Sequence, residues 1–240
     1  MNGGAGTHDL VSYAGASAGV GVHLDTGKGT GGDALGDTYS GIEDVTGSSH
    51  DDHLEGDSAI AGNIIHGAGG NDFIKGNGGY DVLYGDDGND TLIAMGSWNT
   101  SGSTMYGGAG QDHLTGGEGS DHMHGGAGDD VLNGYQGVNT MTGDAGSDTF
   151  EFQKNLDNAG PADNYNTITD FNKNEDVLSL YDVFQGSGNN TDVVVGSDAN
   201  GDVQLSFGDT TVVLEGVQNA GWNSVQALTN AGFDVQQTQW

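Results

Sequence analysis

The stretch GGAGQDHLT (107–115), GGEGSDHMH (116–124), GGAGDDVLN (125–133) decides the fold. Three windows of nine residues follow one another without a gap, each with aspartate at its sixth place and a large apolar residue at its eighth. Outward from it, GAGGNDFIK (67–75), GNGGYDVLY (76–84), GDDGNDTLI (85–93) and GDAGSDTFE (143–151) keep both marks, while GSSHDDHLE (47–55), SAIAGNIIH (58–66), WNTSGSTMY (98–106) and GYQGVNTMT (134–142) are worn copies. Across these eleven windows the eighth place reads Leu54, Ile65, Ile74, Leu83, Leu92, Met105, Leu114, Met123, Leu132, Met141 and Phe150, never polar. The sixth reads Asp52, Asn63, Asp72, Asp81, Asp90, Ser103, Asp112, Asp121, Asp130, Asn139 and Asp148. Spacing stays at nine except across Gly56–Asp57 and Ala94–Ser97, two insertions expected to bulge outward as loops.

Composition agrees with a repeat fold. The chain has 47 glycines in 240 residues, well above the usual ~7%. Yet it has one proline, and its apolar residues keep register with the glycines, unlike a flexible low-complexity tract. Against 35 acidic residues stand four lysines (Lys28, Lys75, Lys154, Lys173) and no arginine, a formal charge of −31. Nucleic acid is excluded as a partner by that balance. Self-repulsion opposes compaction, so the chain is either disordered or neutralised by cations as it folds. A solvated acidic surface of the halophilic kind is the alternative, but the aspartates fall at fixed repeat places. Without cysteine, neither disulfides nor thiolate metal sites can staple a thin core. No basic start leads into an apolar run, and no apolar stretch is long enough to span a bilayer.

The windows resemble the calcium-binding consensus G-G-x-G-x-D-x-U-x of the RTX (repeats-in-toxin, hemolysin-type) family. That resemblance implies an all-β, right-handed parallel β-roll with two sheets, in which the first six places form a turn and the last three a short strand. Two repeats then make one coil of about eighteen residues. The eighth side chain points inward and the seventh and ninth outward, because side chains alternate across a strand. Glycines at places one, two and four are expected to supply positive φ and let carbonyl oxygens converge. The sixth-place carboxylate joins them, and an all-oxygen site suits calcium better than zinc or copper. The side-chain ligands expected for several Ca2+ ions are Asp52, Asp72, Asp81, Asp90, Asp112, Asp121, Asp130, Asn139 and Asp148. Backbone ligands are expected from Gly67, Gly69, Gly85, Asp87, Gly107, Ala109, Gly116, Gly125, Ala127, Gly143 and Ala145. Stacking eighteen apart pairs Asp72 with Asp90, Asp112 with Asp130 and Asp130 with Asp148, which makes Asp130 alone a member of two strong pairs. Asp121 with Asn139, and Asn63 with Asp81, lose a charge, and Asp81 with Ser103 is expected to be weak or missing. A turn aspartate that only caps a glycine loop needs no partner eighteen residues away.

Residues 1–46 read as a strand-and-loop lead-in, 47–151 as the roll, and 152–240 as a mostly-β C-terminal cap. Within the lead-in, 4–12 (GAGTHDLVS) is a worn repeat, and 39–57 resembles the segment that leads into such repeats. Because the worn repeat begins almost at Met1, the chain reads as the C-terminal part of something longer. In the cap, 192–195, 202–207 and 210–217 read as short antiparallel strands, and 224–231 as a short helix with Asn223 as N-cap and Gly232 past its end. The phrases ITDF and EDVLSL resemble the secretion-target region of type I-exported RTX proteins, which implies secretion to the exterior or cell surface.

Other signals are weaker. His122 and His124 lie two apart on one strand, facing outward, and read as chance exposure, since no third ligand is evident and His113 belongs to the opposite sheet. No HExxH occurs, Gly27–Lys28–Gly29 makes no P-loop, and 198–202 (DANGD) reads as a hairpin turn rather than an EF-hand. Outward Phe73, Tyr84 and Tyr106 are either cross-strand packing or a strip for sugar rings. No nucleophile and base can be singled out, so the chain is expected not to be an enzyme. The reading is a secreted calcium-folded module of a type I-exported protein or adhesin, with the secretion machinery as partner. The alternative is an accessory module binding an anionic or neutral polysaccharide for a carbohydrate-active enzyme such as an alginate epimerase or lyase.

Overall fold

The computed structural model describes residues 1–59, 61–94, 102–153, 164–181, 193–207 and 210–238. The chain winds between two sheets. In the first, the strands Leu10–Ser12, Asp44–Thr46, Ile64–His66, Val82–Asp87, Thr104–Ala109, His122–Ala127, Val138–Ala145, Asn164–Ile168 and Thr210–Gln218 lie side by side, all parallel. Two antiparallel strands, Asp202–Phe207 and Val194–Ser197, end it. The second sheet stacks Gly21–His23, His53–Glu55, Phe73–Lys75, Thr91–Ile93, His113–Thr115, Val131–Asn133, Thr149–Gln153, Val177–Tyr181 and Asp234–Thr238 in parallel. Lys28–Gly31 closes its other end as a hairpin with Gly21–His23. This is a parallel β-roll, and it follows from the repeat: three residues per strand bury one side chain, and the glycine-rich turn reverses the chain.

Every eighth-place residue, from Leu54 to Phe150, is 0% exposed. In register they form two columns, Leu54–Ile74–Leu92–Leu114–Leu132–Phe150 and Ile65–Leu83–Met105–Met123–Met141. Both columns run past the boundaries expected at 46/47 and 151/152. Val22 precedes Leu54 and Leu178 follows Phe150; Val11 and Val45 precede Ile65, and Ile168 and Leu214 follow Met141. One apolar core therefore includes residues of all three expected segments. The worn repeat at 4–12 takes part through Leu10–Ser12, with Val11 inward.

Neither insertion begins where expected. Gly56 does not bulge: its amide donates to Lys75 O at 2.8 Å and it is buried. It holds the first place of its window, so the extra residues fall inside the turn between Asp57 and Gly62. Ala94 likewise stays in the ladder, its amide donating to Thr115 O at 2.9 Å. The rest of that insertion lies outside the described residues.

At the C-terminal end the strands over 194–218 are antiparallel, as expected, and the Asp198–Asp202 turn is their hairpin. The helix Val225–Asn230 is capped by Ser224 rather than Asn223: Ser224 is extended and its hydroxyl accepts from the Ala227 amide at 3.1 Å. Gly232, at φ 93°, turns the chain away from it. The helix buries Val225 and Leu228. Beside them an aromatic chain leads out of the repeat column, with Phe150–Phe171 and Phe171–Phe233 centroids 6.0 Å apart and Trp222 edge-on to Phe233 at 5.0 Å. Phe152, Leu178 and Leu180 join this core, but Val177, expected there, is only half-buried because it occupies an outward place. Among the described residues no helix is long and apolar enough to cross a membrane.

Cutting after Glu151 would strip Phe150 of Leu178 and Phe171, and Met141 of Ile168, leaving two bare sheet edges. A fragment of residues 1–151 is expected to need more calcium to fold and to self-associate. Circular dichroism across a calcium titration, with sedimentation velocity, checks this; a monomer with an unchanged midpoint would show that 152–240 does not stabilise the roll.

Candidate metal centres

Each turn holds its sixth-place carboxylate indoors. Asp72, Asp81, Asp90, Asp112, Asp121, Asp130 and Asp148 are all buried. In every one, Oδ1 accepts a backbone N–H from the sixth place of the preceding coil. Along the second sheet's turns the amide of Asp52 donates to Asp72, Asp72 to Asp90, Asp90 to Asp112, Asp112 to Asp130, and Asp130 to Asp148, at 2.7–3.0 Å. The row then reaches Asp176, which accepts from the Asp148 amide at 3.1 Å. On the other row, Asn63 donates to Asp81, Ser103 to Asp121, and Asp121 to Asn139.

The second oxygens differ. Among the described residues the Oδ2 atoms of Asp72, Asp81, Asp90, Asp112 and Asp130 are buried with no hydrogen-bond partner. Each sits over the bare Cα of its own first-place glycine. A Cβ on Gly67, Gly85, Gly107 or Gly125 would fall closer than 3 Å both to that oxygen and to the first-place carbonyl of the next coil (Gly85, Gly107, Gly125 and Gly143 respectively). Each such space thus has an unpaired carboxylate oxygen and a carbonyl oxygen converging on it, the donor set of a hard cation. A buried carboxylate with an unsatisfied oxygen is costly unless a cation or a proton reaches it.

Glycine serves two purposes in these turns, not the one expected. The first-place glycines have ordinary φ and are required for space. Positive φ occurs at the second and fourth places: Ala68, Asn77, Asp86, Gly108, Gly126 and Asp144 at the second, Gly70, Gly88, Gly110, Gly128 and Gly146 at the fourth. The third-place carbonyls of Asp87, Ala109, Ala127 and Ala145 already accept from the fourth-place amides of Gly70, Gly88, Gly110 and Gly128 at 2.7–3.0 Å. Each keeps a second lone pair. Gly69 is joined to Asp87 by an isolated parallel bridge.

Some expected ligands close their own turns. Asp52 accepts from the Ser48 amide and hydroxyl and from the Val20 amide. Asp121 Oδ2 accepts from the Gly117 amide at 2.8 Å, in the turn begun by Gly116. Asn139 corrects the expectation most clearly: its Nδ2 donates to Gly134 O and Asn166 Oδ1, both at 3.0 Å. The amide nitrogen stands where neighbouring turns carry Oδ2, so a hydrogen-bond donor meets the Gly134 carbonyl there. Asn63 is similar, donating to Glu43 O and accepting from the Asp57 amide. The pairing also changes. Asp90 stacks on Asp112, 22 residues away across the insertion. Asp72, Asp90, Asp112 and Asp130 therefore all have a carboxylate on either side, and Asp130 is not singular.

Asp176 was missed, although Asp176–Val177–Leu178 repeats the Asp130–Val131–Leu132 pattern. Also missed was an outer ladder at the fifth place, where the Asn71 amide donates to Asp51, Asn89 to Asn71 and Gln111 to Asn89. Polar residues at that place were its only signal. Tyr84 and Tyr106 do stack, 5.0 Å apart, but between His66 and His124, so ring faces cover one another. Phe73 is on the other sheet, against His53.

The sequence profile of the RTX calcium-binding nonapeptide repeat (4 copies) matches residues 61–95, 100–132 and 115–150, the windows that carry these turns. Residues 61–95 and 100–150 carry RTX calcium-binding nonapeptide repeats, and they lie in the parallel β-roll described above. Among solved structures, the extracellular lipase LipA from Serratia marcescens is similar at 19% identity and a TM-score of 0.39, over 84% of this chain and 41% of the lipase. This chain thus spans well under half of that protein's length. Comparison with curated proteins gives no match.

Without metal, burial raises these carboxyls, backbone N–H bonds partly oppose it, and neighbouring carboxylates add to it for Asp72, Asp90 and Asp130. Asp72, Asp81 and Asp130 are pushed up to about 7, and Asp90 and Asp148 to about 6. Asp112 and Asp121 rise for the same leading cause. Between the ordinary value of 3.8 and about 7 the metal-free fold binds more protons than the unfolded chain, so its stability falls as pH rises through that window. The RTX roll in chelator is expected to regain β structure on acidification from pH ~7.5 to ~5, and saturating calcium to flatten the dependence. Circular dichroism at both pH values, with and without calcium, checks the sign.

Proposed function

We propose that this chain is a secreted module whose folding is driven by extracellular calcium, at the C-terminal end of a type I-exported protein or adhesin. The observation that carries the reading is the set of buried, unpartnered Oδ2 atoms on Asp72, Asp81, Asp90, Asp112 and Asp130. Asp72, Asp90, Asp112 and Asp130, with the first-place carbonyls of Gly85, Gly107, Gly125 and Gly143, would hold ions along one row. Asp81 would serve the other. Bound calcium supplies positive charge and oxygen coordination where the protein has neither a cationic side chain nor a donor. Its larger, more tolerant shell fits a carbonyl-rich turn better than magnesium's rigid octahedron.

The rest follows from linkage. Ion binding is folding energy when the site exists only in the folded chain. A chain with charge −31 stays open where calcium is scarce, which suits passage through an export channel, and closes where calcium is plentiful. Residues 152–240 then cap the roll, supported by the Phe150–Phe171–Phe233 contacts, and carry the export signal.

Calcium titration of Asp90→Asn and Asp121→Asn separates the two kinds of turn. Asp90→Asn removes a charge from an unsatisfied site between two carboxylates and is expected to raise the folding midpoint roughly tenfold, about 1.4 kcal/mol. Asp121→Asn changes a carboxylate whose Oδ2 is already paired and is expected to shift it much less. Equal shifts, or β structure that persists in chelator at neutral pH, would sink the reading.

A further inference from the structure

Among the described residues, one group of three potential metal-ligating side chains converges outside the aspartate rows. Gly21–His23 pairs in parallel with His53–Glu55, and the register places His23 directly across from Glu55. His53 and Glu55 are two apart on one strand and so share its outer face. One ligand atom from each of His23, His53 and Glu55 lies within 4.8 Å of the others. Glu55 spreads its carboxylate between them: Oε2 lies 3.3 Å from His23 Nδ1, and Oε1 lies 2.9 Å from His53 Nε2. It turns both oxygens to the imidazoles even though Lys75 stands in register on its other flank.

The support around the cluster is that of a held site. His23 Nε2 is 3.0 Å from Thr30 Oγ1 on the hairpin strand Lys28–Gly31. A ligating histidine needs such a partner on its second nitrogen to fix ring and tautomer. His53 is wedged between His23 and Phe73, at centroid distances of 5.1 and 4.8 Å. The side chains of His23 and Glu55 are 20% and 22% exposed, while that of His53 is half exposed. His53 and Thr30 also line an open groove of about 520 Å³.

We propose that His23, His53 and Glu55 bind a divalent late first-row transition metal, zinc above all, with a fourth position open to solvent. Two imidazoles and one carboxylate are a zinc donor set, distinct in kind from the all-oxygen turns, which favour calcium. The ion clasps the lead-in strand, which lies outside the nine-residue pattern, to the first repeat strand of that sheet. His122 and His124, the pair singled out by spacing, do not form such a group among the described residues: His124 faces Asp144 and stacks on Tyr106.

The test uses the full chain saturated with calcium, so that the aspartate turns are filled. Zinc is titrated in competition with a chromophoric chelator, and cobalt(II) is substituted to read the visible band of a tetrahedral site. One tight equivalent is expected. His23→Ala and Glu55→Gln should weaken it at least about tenfold, with the calcium-loaded β spectrum unchanged, while the double variant His122→Ala, His124→Ala keeps it. Should His23→Ala disturb the hairpin, His53→Gln reads the same site through a half-exposed ring. The proposal is overturned if the wild-type chain binds no tight equivalent, or if that equivalent survives both His23→Ala and His53→Gln.

Discussion

The sixth-place carboxylate governs this molecule. In Asp72, Asp81, Asp90, Asp112 and Asp130 one oxygen accepts an amide from the coil before it and fixes the stacking of turn upon turn; the other is buried without a partner. Oδ1 reaches the preceding coil from inside the turn, so Oδ2 needs a partner there: Asp121 and Asp176 find one in the Gly117 and Asn172 amides, and those five do not. The turn is shaped around this conflict, with no Cβ at the first place and positive φ at the second and fourth. Leaving one such charge buried and uncompensated costs several kcal/mol. A core only one side chain wide per strand has little to set against a row of them, which is why the proposed function makes neutralisation a condition of folding at neutral pH.

What the sequence made legible was whatever depends on a residue's own place in the nine. The eighth-place residues are buried because alternation along a three-residue strand leaves them no other direction. The starts of the insertions were misplaced because a count of residues cannot say which part of a turn absorbs the excess. The ladder bonds of Gly56 and Ala94 decide it. Asn63 and Asn139 were read as weakened ligands by likeness of shape. An amide carries its own donors, however, and the Asn139 amide spends one on Gly134 O, which no carboxylate can do. The His23–His53–Glu55 group was invisible for a different reason. Its members are brought together by a register between the lead-in and the first repeat strand, which no spacing within the repeats records.

Turn chemistry and strand chemistry also separate at both ends. The nine-residue pattern marks identical turns, whereas the sheets ask only for one inward apolar residue in a short extended segment. Val11, Val22 and Val45 meet that demand before the pattern starts, and Ile168, Leu178 and Leu214 after it stops. Hence the core outruns the repeats. Asp176 belongs to both worlds: it continues the carboxylate row, yet its Oδ2 accepts from the Asn172 amide at 2.7 Å in a turn of its own.

That detail shows how the row is bounded. At one end Asp52 has both oxygens satisfied by Ser48 and Val20, and at the other Asp176 is satisfied by Asn172. Between them Asp72, Asp90, Asp112 and Asp130 each have one oxygen held by a neighbour and one left over. The amide that orients each carboxylate belongs to a residue whose own carboxylate is oriented by the coil before. Ordering one turn therefore positions a carboxylate in the next, and on the proposed function an ion that settles one turn would make its neighbour easier to fill. Such coupling runs only between adjacent coils, as in other stacked repeats. On the proposed function, any steepness in the response of this row would come from the amide-to-carboxylate bonds that link one coil to the next rather than from any single site.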